Sequence, residues 1–325
     1  MEKNANFAPM KHFFLFILAS VLLNSCVSVV SPTQWRHALL VPDTVPGPYH
    51  RVLAASTVHA ALLEELGAGR RVVGVCDAAY VTDSAMRDAL ASGLLADFGS
   101  SDAPDCERIV ASGVDAVMLS YVDNSGHGAW ASLPVPLVES IDYLESTPLG
   151  RAEWMRFYGR MVERGESADS LFSEVEQRYG ELCRQASSHG LTRVLTDIPQ
   201  SGAWYVPGGE SYLAHLYRDA GFTLPCSCGT ETGSVALSVE QVLAVAADAD
   251  LWLVKYAAPR DLTYDDLLRL CPVAPRIKAF REHRVFGCNT LRCPYYEQVP
   301  FHPDRLLRDL LCNTNIYFRP LQINN

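Results

Sequence analysis

Residues 166–188 carry one unbroken amphipathic helix pattern, and a rod of that length in mid-chain dictates what can be built on either side of it. Ala168, Leu171, Phe172, Val175, Tyr179, Leu182 and Cys183 recur at three- and four-residue spacing, while Glu166, Asp169, Glu174, Glu176, Arg178 and Glu181 fall elsewhere around the axis. At about 1.5 Å per residue, about 23 residues make a helix ~34 Å long. That is long enough to join two separate lobes.

Both flanks read as alternating β and α. Before the helix, residues 51–55, 71–75, 114–120 and 135–139 are short apolar runs, with helical stretches at 58–66 and 105–111; Gly67 and Gly69 stop the first of these helices. After it, residues 193–197, 250–254 and 284–286 read as strands and 211–219, 239–247 and 303–311 as helices. Such alternation predicts an α/β chain with parallel sheets assembled from βαβ units. A chain of 325 residues exceeds one ordinary core and suits two lobes of roughly 120 residues each. The expected division is an N-terminal lobe over 50–165, a connecting helix over 166–189 and a C-terminal lobe over 190–325. A single connecting helix predicts small rocking of the lobes rather than a wide hinge.

The N-terminus speaks to compartment. Lys3 and Lys11 precede an apolar stretch over 13–23, interrupted by Ser20. It is shorter than the ~20 residues of a spanning helix and suits the core of a signal peptide. Leu23-Asn24-Ser25-Cys26 resembles a bacterial lipobox. Residues 1–26 are therefore expected to be a lipoprotein signal peptide, with Cys26 lipidated as the mature N-terminus. Loss of Glu2, Lys3 and Lys11 would take the formal charge from −10 to −11. Residues 27–49, punctuated by Ser28, Ser31, Pro32, Pro42, Pro46, Gly47 and Pro48, are expected to form a tether. The mature chain is expected to be an exported, periplasmic monomer held to the membrane by lipid alone. Setting Cys26 aside leaves nine of the ten cysteines, an odd number that cannot all pair within the chain. Most read as small buried apolar residues; Cys288 and Cys293 are the close pair worth examining.

Charge and motifs exclude several classes. The acidic balance, with pI about 5.4 and no Lys/Arg run, offers no footprint for nucleic acid. The sequence contains no nucleophile elbow, phosphate-binding P-loop or zinc-protease helix motif, and no enzymatic activity or resident cofactor is expected.

Four steps along the chain, in order, carry a resemblance. They are residues 51–75 with their Gly67 and Gly69 stop; Glu107, Ile109 and Ala111 followed by Asp115 and Val117; residues 205–211 followed by Asp219-Ala220-Gly221; and Ser238, Glu240 and Leu243 followed by Asp250 and Leu251. From about residue 50 to 312 the chain resembles the substrate-binding proteins of ABC importers for vitamin B12, ferric siderophores and haem. The resemblance implies a class III periplasmic binding protein: two Rossmann-like lobes, a rigid connecting helix and an interlobe cleft. It also implies a metal-chelate ligand and delivery to an ABC permease driven by its ATPase. One carboxylate per lobe would dock on that permease. Glu240 occupies the C-lobe position. In the N-lobe Ala61 stands where the family has Glu, and Glu65 or Glu64 one turn on would substitute.

In open α/β sheets, ligands bind beyond the carboxyl ends of the strands. Asp77 and Tyr80 follow the second strand; Tyr121, Asn124, Ser125, His127 and Trp130 follow the third. In the second lobe the strands lead into Trp204 and Tyr205, Lys255 and Tyr256, then Asn289, Thr290, Tyr295 and Tyr296. The expected ligand contacts are Tyr80, Tyr121, Asn124, His127, Trp130, Trp204, Tyr205, Lys255, Tyr256, Asn289, Tyr295 and Tyr296. This set is aromatic with few charges, as the walls around a bulky chelate need to be. His59, His127 and His302 are the candidate metal ligands, but no His-rich loop accompanies them and no metal site is expected. The alternatives are a scavenging lipoprotein uncoupled from a permease, or a binder of free metal ions.

Overall fold

The computed structural model describes residues 28–29, 35–120, 128–186 and 192–323. A short antiparallel pair, β1 (Ser28–Val29) and β2 (Thr44–Val45), precedes the first lobe. That lobe begins with β3 (Val52–Ala54), helix α1 (Thr57–Glu65), β4 (Val72–Val75), α2 (Ser84–Ala91) and β5 (Ala96–Asp97). A two-stranded hairpin follows, β6 (Gly99–Ser100) with β7 (Ala103–Pro104). Next come α3 (Cys106–Ala111), β8 (Ala116–Ser120) and β9 (Leu137–Ser140). The sheet runs β5-β4-β3-β8-β9, parallel throughout. The central strands β3 and β8 are covered on both faces, so they read as continuous apolar runs rather than alternating ones.

Helices α4 (Pro148–Met161) and α5 (Gly165–Ala186) then pack against each other. The expected long helix is α5, and its apolar stripe serves two cores. Ala168, Phe172 and Val175 lie in the core of the first lobe, Tyr179 and Leu182 in a core of the second. α4 was not anticipated. It is buried around most of its circumference (Ala152, Trp154, Met155, Phe157, Tyr158 and Met161), which erases the periodicity that marks a half-exposed helix. At Gly159 an added Cβ would lie 2.5 Å from the Cβ of Ala168 on α5. Gly159→Val is therefore expected to overpack this crossing and cost about 1–3 kcal/mol. Urea denaturation should show the midpoint falling; an unchanged midpoint would mean the two helices simply spread apart.

The second lobe starts with β10 (Thr192–Thr196), β11 (Trp204–Pro207), α6 (Tyr212–Asp219), β12 (Phe222–Thr223), β13 (Ser234–Leu237), α7 (Val239–Ala246) and β14 (Leu251–Tyr256). It continues with α8 (Tyr264–Leu270), α9 (Lys278–Arg281), β15 (Val285–Asn289), α10 (Tyr295–Gln298), α11 (Pro303–Cys312) and β16 (Arg319–Pro320). Its sheet runs β12-β10-β14-β15-β16, with only β16 antiparallel; β11 and β13 form a separate ribbon. Ser211, Ser238 and Thr263 cap the helices that follow them, each hydroxyl accepting a first-turn N–H. The tail has a structural role. The Asp309 carboxylate accepts the backbone N–H groups of Ile316, Tyr317 and Phe318 at 2.8, 3.0 and 3.0 Å, and both aromatic rings are buried.

The expected tether over 27–49 needs correcting. From Arg36 to Leu40 the backbone is strapped to α4 and the turn before it. Glu153 accepts the N–H groups of Arg36, His37 and Ala38 at 3.0, 2.8 and 3.0 Å. Glu145 accepts those of Leu39 and Leu40 at 3.0 and 2.8 Å. Of the two buried carboxylates, Glu153 also has the Arg156 guanidinium at 2.8 Å and Glu145 the Trp154 indole N–H at 2.9 Å; this row of backbone donors completes their compensation.

Candidate ligand cleft

The carboxyl ends of β3 and β4 point toward the second lobe, and the residues just beyond them line a cavity of about 300 Å³. Ala55 and Thr57 enter from the start of α1. Asp77 follows β4 in a left-handed conformation, φ 53°, which a non-glycine residue adopts only when its surroundings hold it there. Its N–H donates to the Gly99 carbonyl at 2.8 Å and its Oδ2 accepts the Ser101 N–H at 3.2 Å. These bonds draw the β6–β7 hairpin over, so Ser100, Ser101 and Asp102 join the wall with Tyr80. Beneath them, burial and then the charges of Asp77 and Asp97 push the Cys76 thiol up to about 12. Thr290 and Tyr296 close the cavity from the second lobe. The Thr290 hydroxyl and N–H both donate to the Tyr256 carbonyl, at 3.1 and 2.8 Å.

Behind Tyr296 lies a lysine–carboxylate pair ringed by tyrosines. Lys255 Nζ sits 2.8 Å from Asp197 and 5.7 Å from the centre of the Tyr295 ring. Burial alone would lower the pKa of this ammonium; the Asp197 charge, with Tyr217 and Tyr296, outweighs it and holds the pKa above its ordinary value. The lobes are fastened beside the cleft by Thr82, whose N–H and hydroxyl donate to Glu297.

Of the residues expected to touch ligand, the structure brings Tyr80 and Tyr296 to the cavity, 53% and 56% exposed. Trp130 stands behind the wall, buried, its indole N–H donating to the Ser101 carbonyl at 3.0 Å. Tyr121, Asn124, His127 and the lipidation candidate Cys26 lie outside the described residues. Lys255 and Tyr295 form the layer beneath Tyr296, and Tyr205 is half-exposed on the β11–β13 ribbon. Tyr256 accepts the Leu262 N–H through its hydroxyl. Asn289 accepts the Ala258 N–H at 3.2 Å and donates to the Ala258 carbonyl at 2.9 Å, so it clamps a loop.

Trp204 is a correction: it is 0% exposed, stacked near Trp252, with its N–H on the Thr196 carbonyl, and cannot reach ligand. Glu65 is another: its carboxylate reaches across to His302 Nε2 at 2.6 Å and Arg305 at 3.0 Å, so it is an interlobe tie rather than a free docking group. Glu240 is exposed in the first turn of α7. His59 and His302 are buried against Asp142 and Glu65. Cys288 and Cys293 are thiols with sulfurs 3.8 Å apart. Reading the sequence missed Thr57, Ser100, Ser101 and Asp102. The one available signal was the Gly99-Ser100-Ser101-Asp102 turn composition, which marks a tight hairpin.

Solved structures share this fold. An Fe3+-hydroxamate transport system protein of Saccharomonospora viridis is 19% identical, with a TM-score of 0.63 over 82% of this chain and 94% of that one. The periplasmic haem-binding protein HutB of Vibrio cholerae is 17% identical, with a TM-score of 0.61 over 80% and 98%. The vitamin B12-binding protein BtuF of the same organism is 15% identical, with a TM-score of 0.58 over 82% and 97%. A lipoprotein of Methanocaldococcus jannaschii, uncharacterised in function, is 25% identical over 220 residues, 64% of this chain and 52% of that protein; the chain thus spans about half the length of this curated relative. A family model described as periplasmic binding protein matches residues 52–290, a span that takes in every parallel strand of the two five-stranded sheets, α4 and α5 and every residue lining the cleft except Tyr296. The chain therefore has the class III fold and belongs to the periplasmic binding protein family, whose members are substrate-binding transport proteins and not enzymes.

Proposed function

We propose that this chain captures a metal-chelate nutrient between its lobes and hands it to an ABC permease powered by an ATPase. The observation that carries the reading is the cavity itself. Strand ends from one lobe and a loop and helix from the other meet around it, and two exposed tyrosine rings flank hydroxyl-bearing walls. Because α5 contributes to cores in both lobes, the lobes close by small rocking. The structural relatives whose names specify ferric hydroxamate, haem or vitamin B12 support a chelate as cargo. In this reading residues 1–26 are a signal peptide and lipidated Cys26 anchors an exported, periplasmic monomer. Glu240 is then the surface carboxylate placed to meet the permease. Among the described residues no helix is long and apolar enough to cross a membrane.

Residues 27–325 titrated with cyanocobalamin, haemin and ferric trihydroxamates should show saturable 1:1 binding to at least one of them. Tryptophan emission is a suitable signal, because Trp130 donates to Ser101 in the cleft wall. Silence across the panel, from protein shown to be folded by circular dichroism, would remove the chelate reading.

A further inference from the structure

The charge of the cleft bears on which chelates it can hold, an inference resting on the proposed transport function. We infer that the cleft selects an uncharged or cationic metal chelate with N–H donors on its rim, and disfavours polyanionic chelates. Asp77 and Asp102 are both on the cavity wall, and among the described residues lining it there is no Lys, Arg or His. Cations on adjoining elements each have a partner outside that lining. Lys255 is paired with Asp197 at 2.8 Å and only 12% exposed. Arg292 is paired with Asp261 at 3.5 Å, and Arg151 with Asp142 at 2.9 Å. The Arg87 guanidinium donates to the Val81 carbonyl at 2.7 Å.

A ligand bearing carboxylates or catecholate oxygens would face two carboxylates across a space only a few side chains wide, with no cation among the described lining residues to receive it. Charge pairs at such distances change affinity roughly tenfold or more. Carboxylates accept hydrogen bonds and cannot donate, whereas the hydroxyls of Thr57, Ser100 and Ser101 do both. An amide or ammonium fringe on the ligand satisfies that set; a propionate fringe leaves Asp77 and Asp102 opposed by like charge.

The test uses residues 27–325 and five probes: a cationic ferric trihydroxamate, an uncharged ferric trihydroxamate, cyanocobalamin, haemin and a polyanionic ferric tricatecholate. Wild type should bind one or more of the first three at least about tenfold more tightly than either of the last two. Asp77→Asn and Asp102→Asn should each weaken the cationic trihydroxamate about five- to tenfold if it binds, and the double variant should narrow the gap to the anionic probes. Added salt should weaken the cationic probe in wild type and much less in the double variant. Thermal melts of each variant establish that it is folded. Tighter binding of haemin or the tricatecholate in wild type overturns the charge inference while leaving the transport reading standing. So does unchanged selectivity in folded variants. No binding by any probe overturns both.

Discussion

Arg151→Ala should cost about 3–5 kcal/mol of unfolding free energy, because it strands a carboxylate in the interior. Asp142 is 2% exposed and receives Arg151 Nε at 2.9 Å, the Tyr158 hydroxyl at 3.0 Å and His59 Nε2 at 3.3 Å. Burial would raise its pKa; the Arg151 charge, followed by His59, outweighs this and holds the carboxyl well below the usual carboxylate range. The guanidinium also lies 4.6 Å over the Tyr212 ring at the start of α6, so one side chain neutralises a first-lobe carboxylate and packs on the second lobe. Removing it forces Asp142 to take up a proton or admit water, and either is expensive in that site. Urea denaturation measures the loss. The paired replacement Asp142→Leu with Arg151→Met removes both charges at similar volume and should recover most of the stability. A loss below about 1 kcal/mol for Arg151→Ala would mean that the hydrogen bonds from Tyr158 and His59 suffice for the carboxylate.

What could be read from the sequence depended on whether burial left a pattern. α5 is half-exposed along its length, so Phe172, Val175 and Tyr179 stand out against charged neighbours. Strands β3, β8 and β14 lie inside parallel sheets and announce themselves as apolar runs. α4 is sealed between the two lobes and shows neither signal. The strap over Arg36 to Leu40 leaves no periodic side-chain pattern, because most of its contacts run from backbone N–H groups to carboxylates more than a hundred positions away. At the cleft, the strand-end rule located Tyr80 and Tyr296, and it brought Asp77 and Thr290 into view without marking them as contacts. It failed at Trp204, because following a strand does not tell which way the side chain points; this one turns inward beside Trp252. It missed Ser100 to Asp102 because that wall is built by a hairpin of two-residue strands, below the length at which alternation can be recognised.

Glu153→Ala should release the N-terminal strap and destabilise the protein by about 3 kcal/mol. The Glu153 carboxylate is 0% exposed and is held by the Arg156 guanidinium at 2.8 Å, with the backbone N–H groups of Arg36, His37 and Ala38 on the same two oxygens. With alanine there, three backbone donors lose their charged acceptor, and each must find water or leave the surface. Leaving is the cheaper course, since Leu39 and Leu40 are exposed and little apolar area opposes it. Detachment would uncover Trp35, which sits under Arg156 and Arg160. Limited proteolysis should therefore cut Glu153→Ala between residues 36 and 49 under conditions that leave the wild type whole, and urea denaturation should show the lowered midpoint. Glu153→Gln retains one acceptor oxygen and should sit between the two. If Glu153→Ala resists the protease as the wild type does, Glu145, with Glu176 on the His37 and Arg36 side chains at 2.9 and 3.5 Å, holds the strap. The reach from the folded lobes to a lipid anchor at Cys26 would then begin at the contacts of Arg36 and His37 with Glu176.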